Sequence, residues 1–273
     1  MSFEFLHVDG AGGDGRFAPL ARSPMERAAR AAGGSFEQRD GWNVAVRFGS
    51  AEEEADALRR SAGFADASHL GKLELQAGPG ELGALVEQVA GVSPQLGSAT
   101  RAADAWWCPL SATRALVIAE PAAHPALRER LEQAAAERAH ASVLDVTTTY
   151  AALRIAGPAA RELFARFCAL DLRPKVTPPG ALRPGSIARQ PGILIAEAED
   201  RYLILFGWAT GEYMWTVVAD AGERLGARPV GVDALGAPGR EGGAAAAQQD
   251  DQSAQRREAA ARKSSDQGRL SRA

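Results

Sequence analysis

The sequence predicts an α+β protein built from two split βαβ units packed against each other. Three observations carry this. Between the glycine-rich start and about residue 236 the hydrophobic pattern switches repeatedly between periods of two and 3.6. The order strand–helix–strand–strand–helix–strand runs once from Lys72 to Thr147 and again from Tyr150 to Val232. One such unit leaves a sheet face bare, so two are expected to cover each other.

The elements follow in order. Lys72 to Gln76 alternates as a strand. Pro79 to Ala90 places Leu82, Leu85, Val86 and Val89 on one helical face. Short strands are expected at Ala105–Pro109 and Arg114–Ala119, then a charged amphipathic helix over Pro125–Ala139 and a strand over Ser142–Thr147. The second set begins with a strand at Tyr150–Ala156. Gly157-Pro158 opens a helix to Ala169, with proline suited to the first turn. Strands at Ser186–Arg189, Gly192–Ala198 and Arg201–Phe206 lead to a helix over Thr210–Leu225, and Arg228–Val232 closes the pattern. The strand carrying Trp106 and Trp107 sends their rings to opposite faces, so one is expected in the core; the other, if exposed, would suit a subunit interface and, if covered, is ordinary packing.

Both ends read differently. Residues 1–21 form a flexible, glycine-rich leader; no strand precedes Gly10 to Gly15 and no Lys-Ser/Thr follows, which excludes a nucleotide loop. Residues 236–273 are dominated by Gly, Ala, Gln, Asp, Arg and Ser. They have too little apolar surface to offset ordering entropy and read as a disordered tail. Residues 22–235 make the folded domain.

A chain of 273 residues, 46% hydrophobic, can bury a sizeable core. Its net charge of -3 gives no case for nucleic acid or an anionic membrane as partner. Cys108 and Cys168 sit in apolar runs and read as buried free thiols. The four histidines are scattered, so no metal site is expected. No secretory signal and no membrane-spanning run is visible, and a cytoplasmic location is the expectation.

The residues from Arg22 to Gly78 carry a further signal. Arg22-Ser23-Pro24 and Gly41-Trp42 lead to a helix and then to Gly63-Phe64-Ala65-Asp66, Ser68-His69-Leu70-Gly71. This order resembles the opening of the aminomethyltransferase family, the folate-dependent T-protein of glycine cleavage and its relatives. From Val143 onward the chain is more similar to the γ subunit of heterotetrameric sarcosine oxidase. That likeness rests on Asp145-Val146-Thr147, Ala156-Gly157-Pro158 with Arg161, Asp171-Leu172-Arg173-Pro174, Pro179-Gly180 and Tyr213-Met214-Trp215. The resemblance implies a single domain of two ferredoxin-like halves, of the aminomethyltransferase folate-binding type, without the C-terminal modules of the T-protein.

The resemblance also implies where a tetrahydrofolate site would lie. The family's catalytic carboxylate comes from an Asp-Asp pair; between Leu96 and Ala119 the only acid is Asp104, which reads more simply as a solvated turn residue. Leu70 stands where the family has a methionine against the pterin, and Trp208 could replace a tyrosine as an aromatic wall. Glu212 lies near a helix start. Trp215 occupies the position of the glutamate that holds the pterin, and an indole cannot accept its N–H donors. The candidates are therefore Asp104 for catalysis and Leu70, Trp208 and Glu212 for cofactor binding. Asp66 and Ser68 read as turn chemistry, and His69 as orienting that turn by hydrogen bonding.

With those ligands missing, the sequence is read as a protein similar to the sarcosine oxidase γ subunit. It would be a non-catalytic member of an amine-oxidising, folate-linked one-carbon complex. Its partners would be larger flavoprotein subunits, which alone hold flavin. The alternative is a tetrahydrofolate-dependent aminomethyltransferase or demethylase acting by itself; a folate-binding regulator or repair factor is a third reading.

Overall fold

The computed structural model describes residues 20–236. The leader and tail expected at the ends fall outside the described residues, except that Ala21 already lies in a strand and Leu20 and Gly236 flank the fold. The α+β architecture and the two-half plan are those the periodicity implied.

The chain opens with a three-stranded sheet of order β1-β3-β2, made by β1 (Ala21–Arg22), β2 (Ser35–Arg39) and β3 (Trp42–Arg47). Helix α1 (Glu26–Ala31) lies between β1 and β2. Asp40 and Gly41 turn the β2–β3 hairpin with φ of 48° and 77°, the left-handed pair that an Asp-Gly hairpin turn supplies. Helix α2 (Ala51–Arg60) starts with a capping box, the Ser50 hydroxyl accepting from Glu53 N–H while the Glu53 carboxylate accepts from Ser50 N–H.

The strand after α2, β4 (Gly63–Asp66), is buried at every residue. It joins not the sheet that follows it but the last one. The first half-sheet contains β5 (Gly71–Gln76), β6 (Thr100–Ala102), β7 (Ala105–Pro109), β8 (Arg114–Ala119) and β9 (Ser142–Asp145), in the order β6-β7-β8-β5-β9. Helices α3 (Glu81–Ala90) and α4 (His124–Ala136) make its crossovers. The second half-sheet has β10 (Tyr150–Ala156), β11 (Leu182–Ile187), β12 (Gln190–Ala198), β13 (Arg201–Gly207) and β14 (Arg228–Pro229), with α5 (Ala160–Ala165) and α6 (Gly211–Glu223). Its order is β11-β12-β13-β10-β4-β14, so β4 wedges between the two strands that a split βαβ unit would make neighbours.

Three clusters of side chains follow from strand alternation. On β8, Leu116 and Ile118 face the second sheet's Ile195, Leu203 and Leu205, while Ala115 and Val117 face Leu85 of α3 and Leu131 of α4. The third cluster packs Ile155 and Phe206 against Phe164, Met214 and Trp215. Both sheets are thus covered on both faces. Neither tryptophan of β7 is exposed: Trp106 enters the core between the sheets and Trp107 the helix side.

Several boundaries differ from the sequence reading, each for a tertiary reason. Helix α5 stops at Ala165 because Cys168 bridges to Ile187 and Ala188 N–H donates to Phe167 O. Ala188 and Arg189, expected in a strand, form a left-handed turn with φ of 48° and 63°. After Pro229 the chain leaves the sheet: a β-carbon on Gly231 would stand 1.7 Å from Val46 O, and the chain turns into the short helix α7 (Val232–Leu235). Among the described residues no helix is long and apolar enough to cross a membrane.

Candidate functional site

The four residues singled out by sequence do not converge. Asp104 is exposed at the tip of the β6–β7 hairpin, where Ala103 and Asp104 take φ of 48° and 59°. Leu70 is buried in the apolar layer between the sheets. Glu212 points away from that layer and forms a two-pronged pair with Arg27, at 2.5 and 3.2 Å, tying α6 to α1. Trp208, in a 3-10 turn over Trp208–Thr210, meets Trp42 with ring centroids 6.2 Å apart and planes at 57°. Trp215 is 4% exposed and wedged between Phe48 and Phe64, with centroids at 5.8 and 5.1 Å.

What does converge is the turn that carries the chain from one sheet to the other, Ala67–Leu70. Asp66 Oδ1 accepts from Ser68 N–H at 2.9 Å, and Ser68 Oγ accepts from Ala152 N–H at 3.1 Å. The turn is pinned from below by Lys72, which is wholly buried. Its ammonium donates to the carbonyls of Ser68 and Leu70, both at 2.8 Å, and of Thr147 at 3.3 Å. Burial drives the Lys72 ammonium down to about 7, against the pull of Asp66 and Asp145. The same burial pushes Asp66 upward, against its hydrogen bonds to Ser23 and Ser68. His69 does not perform the orienting role expected of it: among the described residues its ring makes no hydrogen bond, and Lys72 holds the turn instead. Burial, with the charges of Arg154, Lys72 and Arg39, pushes His69 down to about 3 and keeps it neutral.

The ring of His69 opens instead on a cavity of about 390 Å³, whose lining includes Asp40, Trp42, His124, Asp145 and Thr147. The β2–β3 hairpin supplies Asp40 and Trp42; the start of α4 supplies His124; the end of β9 supplies Asp145 and the turn after it Thr147. Thr147 N–H donates to Asp145 Oδ1 at 3.0 Å. Burial raises the Asp145 carboxyl, but its bonds to Thr147 and the nearby His124 and Arg128 leave it below the ordinary carboxylate range. Burial lowers His124 despite Asp145, whose Oδ2 lies 3.6 Å from His124 Nε2. Sequence reading noted His69, the Gly41-Trp42 pair and Asp145-Val146-Thr147 only as pieces of separate motifs. Nothing local signals that residues 42, 69, 124 and 145 share one wall.

A larger open groove, about 660 Å³, runs along α2 beside Arg228. There Arg59 and Arg60 both pair with Asp56, and none of the candidate site residues enters it. Among the described residues no group of three or more His, Cys, Asp or Glu is placed to hold a metal ion.

At the level of the fold this arrangement has known counterparts. The glycine cleavage system aminomethyltransferase T from Bartonella henselae superposes with a TM-score of 0.67 at 15% identity, over 79% of this chain and 60% of that one. A chain of the heterotetrameric sarcosine oxidase from Corynebacterium sp. U-96, solved in complex with pyrrole 2-carboxylate, gives a TM-score of 0.60 at 23% identity, over 76% of this chain and 96% of that one. In sequence, the aminomethyltransferase of Streptomyces coelicolor is 27% identical over 228 residues, 78% of this chain and 60% of the relative. That of Saccharopolyspora erythraea is 25% identical over 226 residues, covering 77% and 60%. The chain thus spans about 60% of the length of these curated relatives. Residues 97–258, more than half of the chain, match the family described as GCVT N-terminal domain, and the chain belongs to that family.

Proposed function

We propose that this chain is a non-catalytic, γ-subunit-like member of an amine-oxidising complex linked to one-carbon metabolism, with flavin held by larger partner subunits. The observation that carries the reading is Trp215. By resemblance it stands where a pterin-holding glutamate would be, and it is packed among Phe48, Phe64 and Met214 and offers no acceptor to a ligand's N–H groups. Of the other positions implied for tetrahydrofolate, Leu70 is engaged in the inter-sheet core, Glu212 in the Arg27 pair and Trp208 in the ring contact with Trp42. A site that has exchanged its hydrogen-bonding groups for apolar ones loses most of its affinity for a polar ligand. Support also comes from the sarcosine oxidase chain, which this fold covers almost end to end.

The second reading, a stand-alone tetrahydrofolate-dependent aminomethyltransferase or demethylase, is favoured by the 27% identity to the Streptomyces coelicolor aminomethyltransferase. Calorimetric titration of the full chain with tetrahydrofolate separates the two. No saturable heat from a folded sample, together with co-purification of a flavin-containing subunit from the source cells, is the expected result. Micromolar binding of tetrahydrofolate, or a lone chain active in aminomethyl transfer, would overturn the subunit reading.

A further inference from the structure

We propose that the cavity beneath Trp42 binds a small alkylammonium ion, with the indole of Trp42 as its wall and Asp40 and Asp145 as its counter-charges. The site adjoins one position implied for folate, Trp208, through its ring contact with Trp42, but does not depend on folate being bound.

Asp40 and Asp145 both line the cavity, and among the described residues no cation lies in ion-pairing distance of Asp40. The positive groups around the site are already engaged. Lys72 is turned into three backbone carbonyls. Arg39 is held by Glu37 and Asp233, and Arg154 by Glu197. Arg128 is shared between Glu132 at 2.7 Å and Asp145 at 3.4 Å. Asp40, exposed at the hairpin tip, is therefore the one lining carboxylate without an ion-pair partner among the described residues, and a cation is the ligand that balances it.

The rings of His69 and His124, both shifted down by burial, complete the wall. Trp42 is half-buried and backed by Trp208, so its indole is fixed in place. A cation lodged against an indole face gains from the ring quadrupole, most of all when it is poorly hydrated, as alkylated ammonium ions are. The cavity, about 390 Å³, is at the small end of ligand pockets, which suits a compact amine.

Calorimetric titration of the full chain with dimethylammonium and tetramethylammonium chlorides, and with sodium acetate as the opposite charge, tests the proposal. Saturable binding of both ammonium ions with a Kd of about 1 mM is expected. Asp40→Asn should weaken it roughly ten-fold and Trp42→Leu roughly five-fold. Asp145→Asn also disturbs the turn to Thr147, so Asp40→Asn is the deciding variant, with circular dichroism confirming its fold. Absence of saturable ammonium binding to the folded chain overturns the proposal. So does binding unchanged in both Asp40→Asn and Trp42→Leu, or acetate binding in place of the amines.

Discussion

The imidazole of His124 lies directly over Gly71, so close that a β-carbon on residue 71 would stand 2.2 Å from its Cδ2 and 2.4 Å from its Cγ. The glycine that ends the Ser68-His69-Leu70-Gly71 segment is thus required by a side chain more than fifty residues away. It lets α4 begin against the first residue of β5.

Gly71→Ala should therefore cost about 2–3 kcal/mol in urea unfolding, the range for overpacking a tight site. Shortening the opposing ring should return part of it. In the double variant Gly71→Ala/His124→Ala, a coupling energy near zero would show that the contact does not set the cost.

Glu197 joins the two half-sheets. Its side chain is fully buried, accepts from Arg154 at 2.8 and 3.0 Å and from Arg201 at 3.0 Å, and accepts from Trp106 Nε1 at 3.2 Å across the layer. Burial opposes its ionisation, but the two guanidinium groups hold it below the ordinary carboxylate range. Its stabilising contribution is present above the unfolded pKa of about 4.3 and falls away as pH drops through the lower folded value. Glu197→Gln should lose about 3–5 kcal/mol by removing the buried carboxylate that Arg154 and Arg201 share. Its unfolding midpoint should also lose part of the acid dependence of the parent, a difference that unfolding series at pH 3 to 6 would show.

Lys72 gives the opposite limb of the pH profile. With its folded value near 7 and an unfolded value near 10.4, the unfolded chain holds the extra proton between them, so stability rises with pH across that window. The chain has only three lysines, Lys72, Lys175 and Lys263, which keeps the signal legible. Unfolding measured from pH 7 to 9 should show a positive slope of up to about 1.4 kcal/mol per pH unit that disappears in Lys72→Met. A slope equal in both proteins would remove Lys72 as its source.

At the β6–β7 turn, Ala103 holds a φ of 48° without the side-chain tolerance that helps its neighbour Asp104. Ala103→Gly should gain about 0.5–1 kcal/mol in thermal or urea unfolding, since glycine adopts that conformation without the β-carbon penalty. A loss of stability would mean that the turn is relaxed by contacts outside it.

Much of this was legible in the sequence because it is local. The strands Ala105–Pro109, Arg114–Ala119 and Tyr150–Ala156 lie where alternation put them, and the helical face of Leu82, Leu85, Val86 and Val89 is the buried face of α3. Asp66 and Ser68 make the turn that their side chains favour. The candidate site was another matter. Asp104, Leu70 and Glu212 were selected by position within motifs, and their surroundings lie on other elements: a hairpin tip, the opposite sheet, and Arg27 of α1.

By itself the sequence determined the main strands and helices between Lys72 and Leu225 and the pairing of two similar halves, since side-chain periodicity encodes which face of an element avoids water. Only the tertiary structure decided that β4 inserts between β10 and β14 and that Trp106 and Trp107 are both covered. It alone brought Trp42, His69, His124 and Asp145 around one cavity. Those outcomes depend on contacts between residues far apart along the chain, whose burial and charge balance exist only once the sheets have closed on each other.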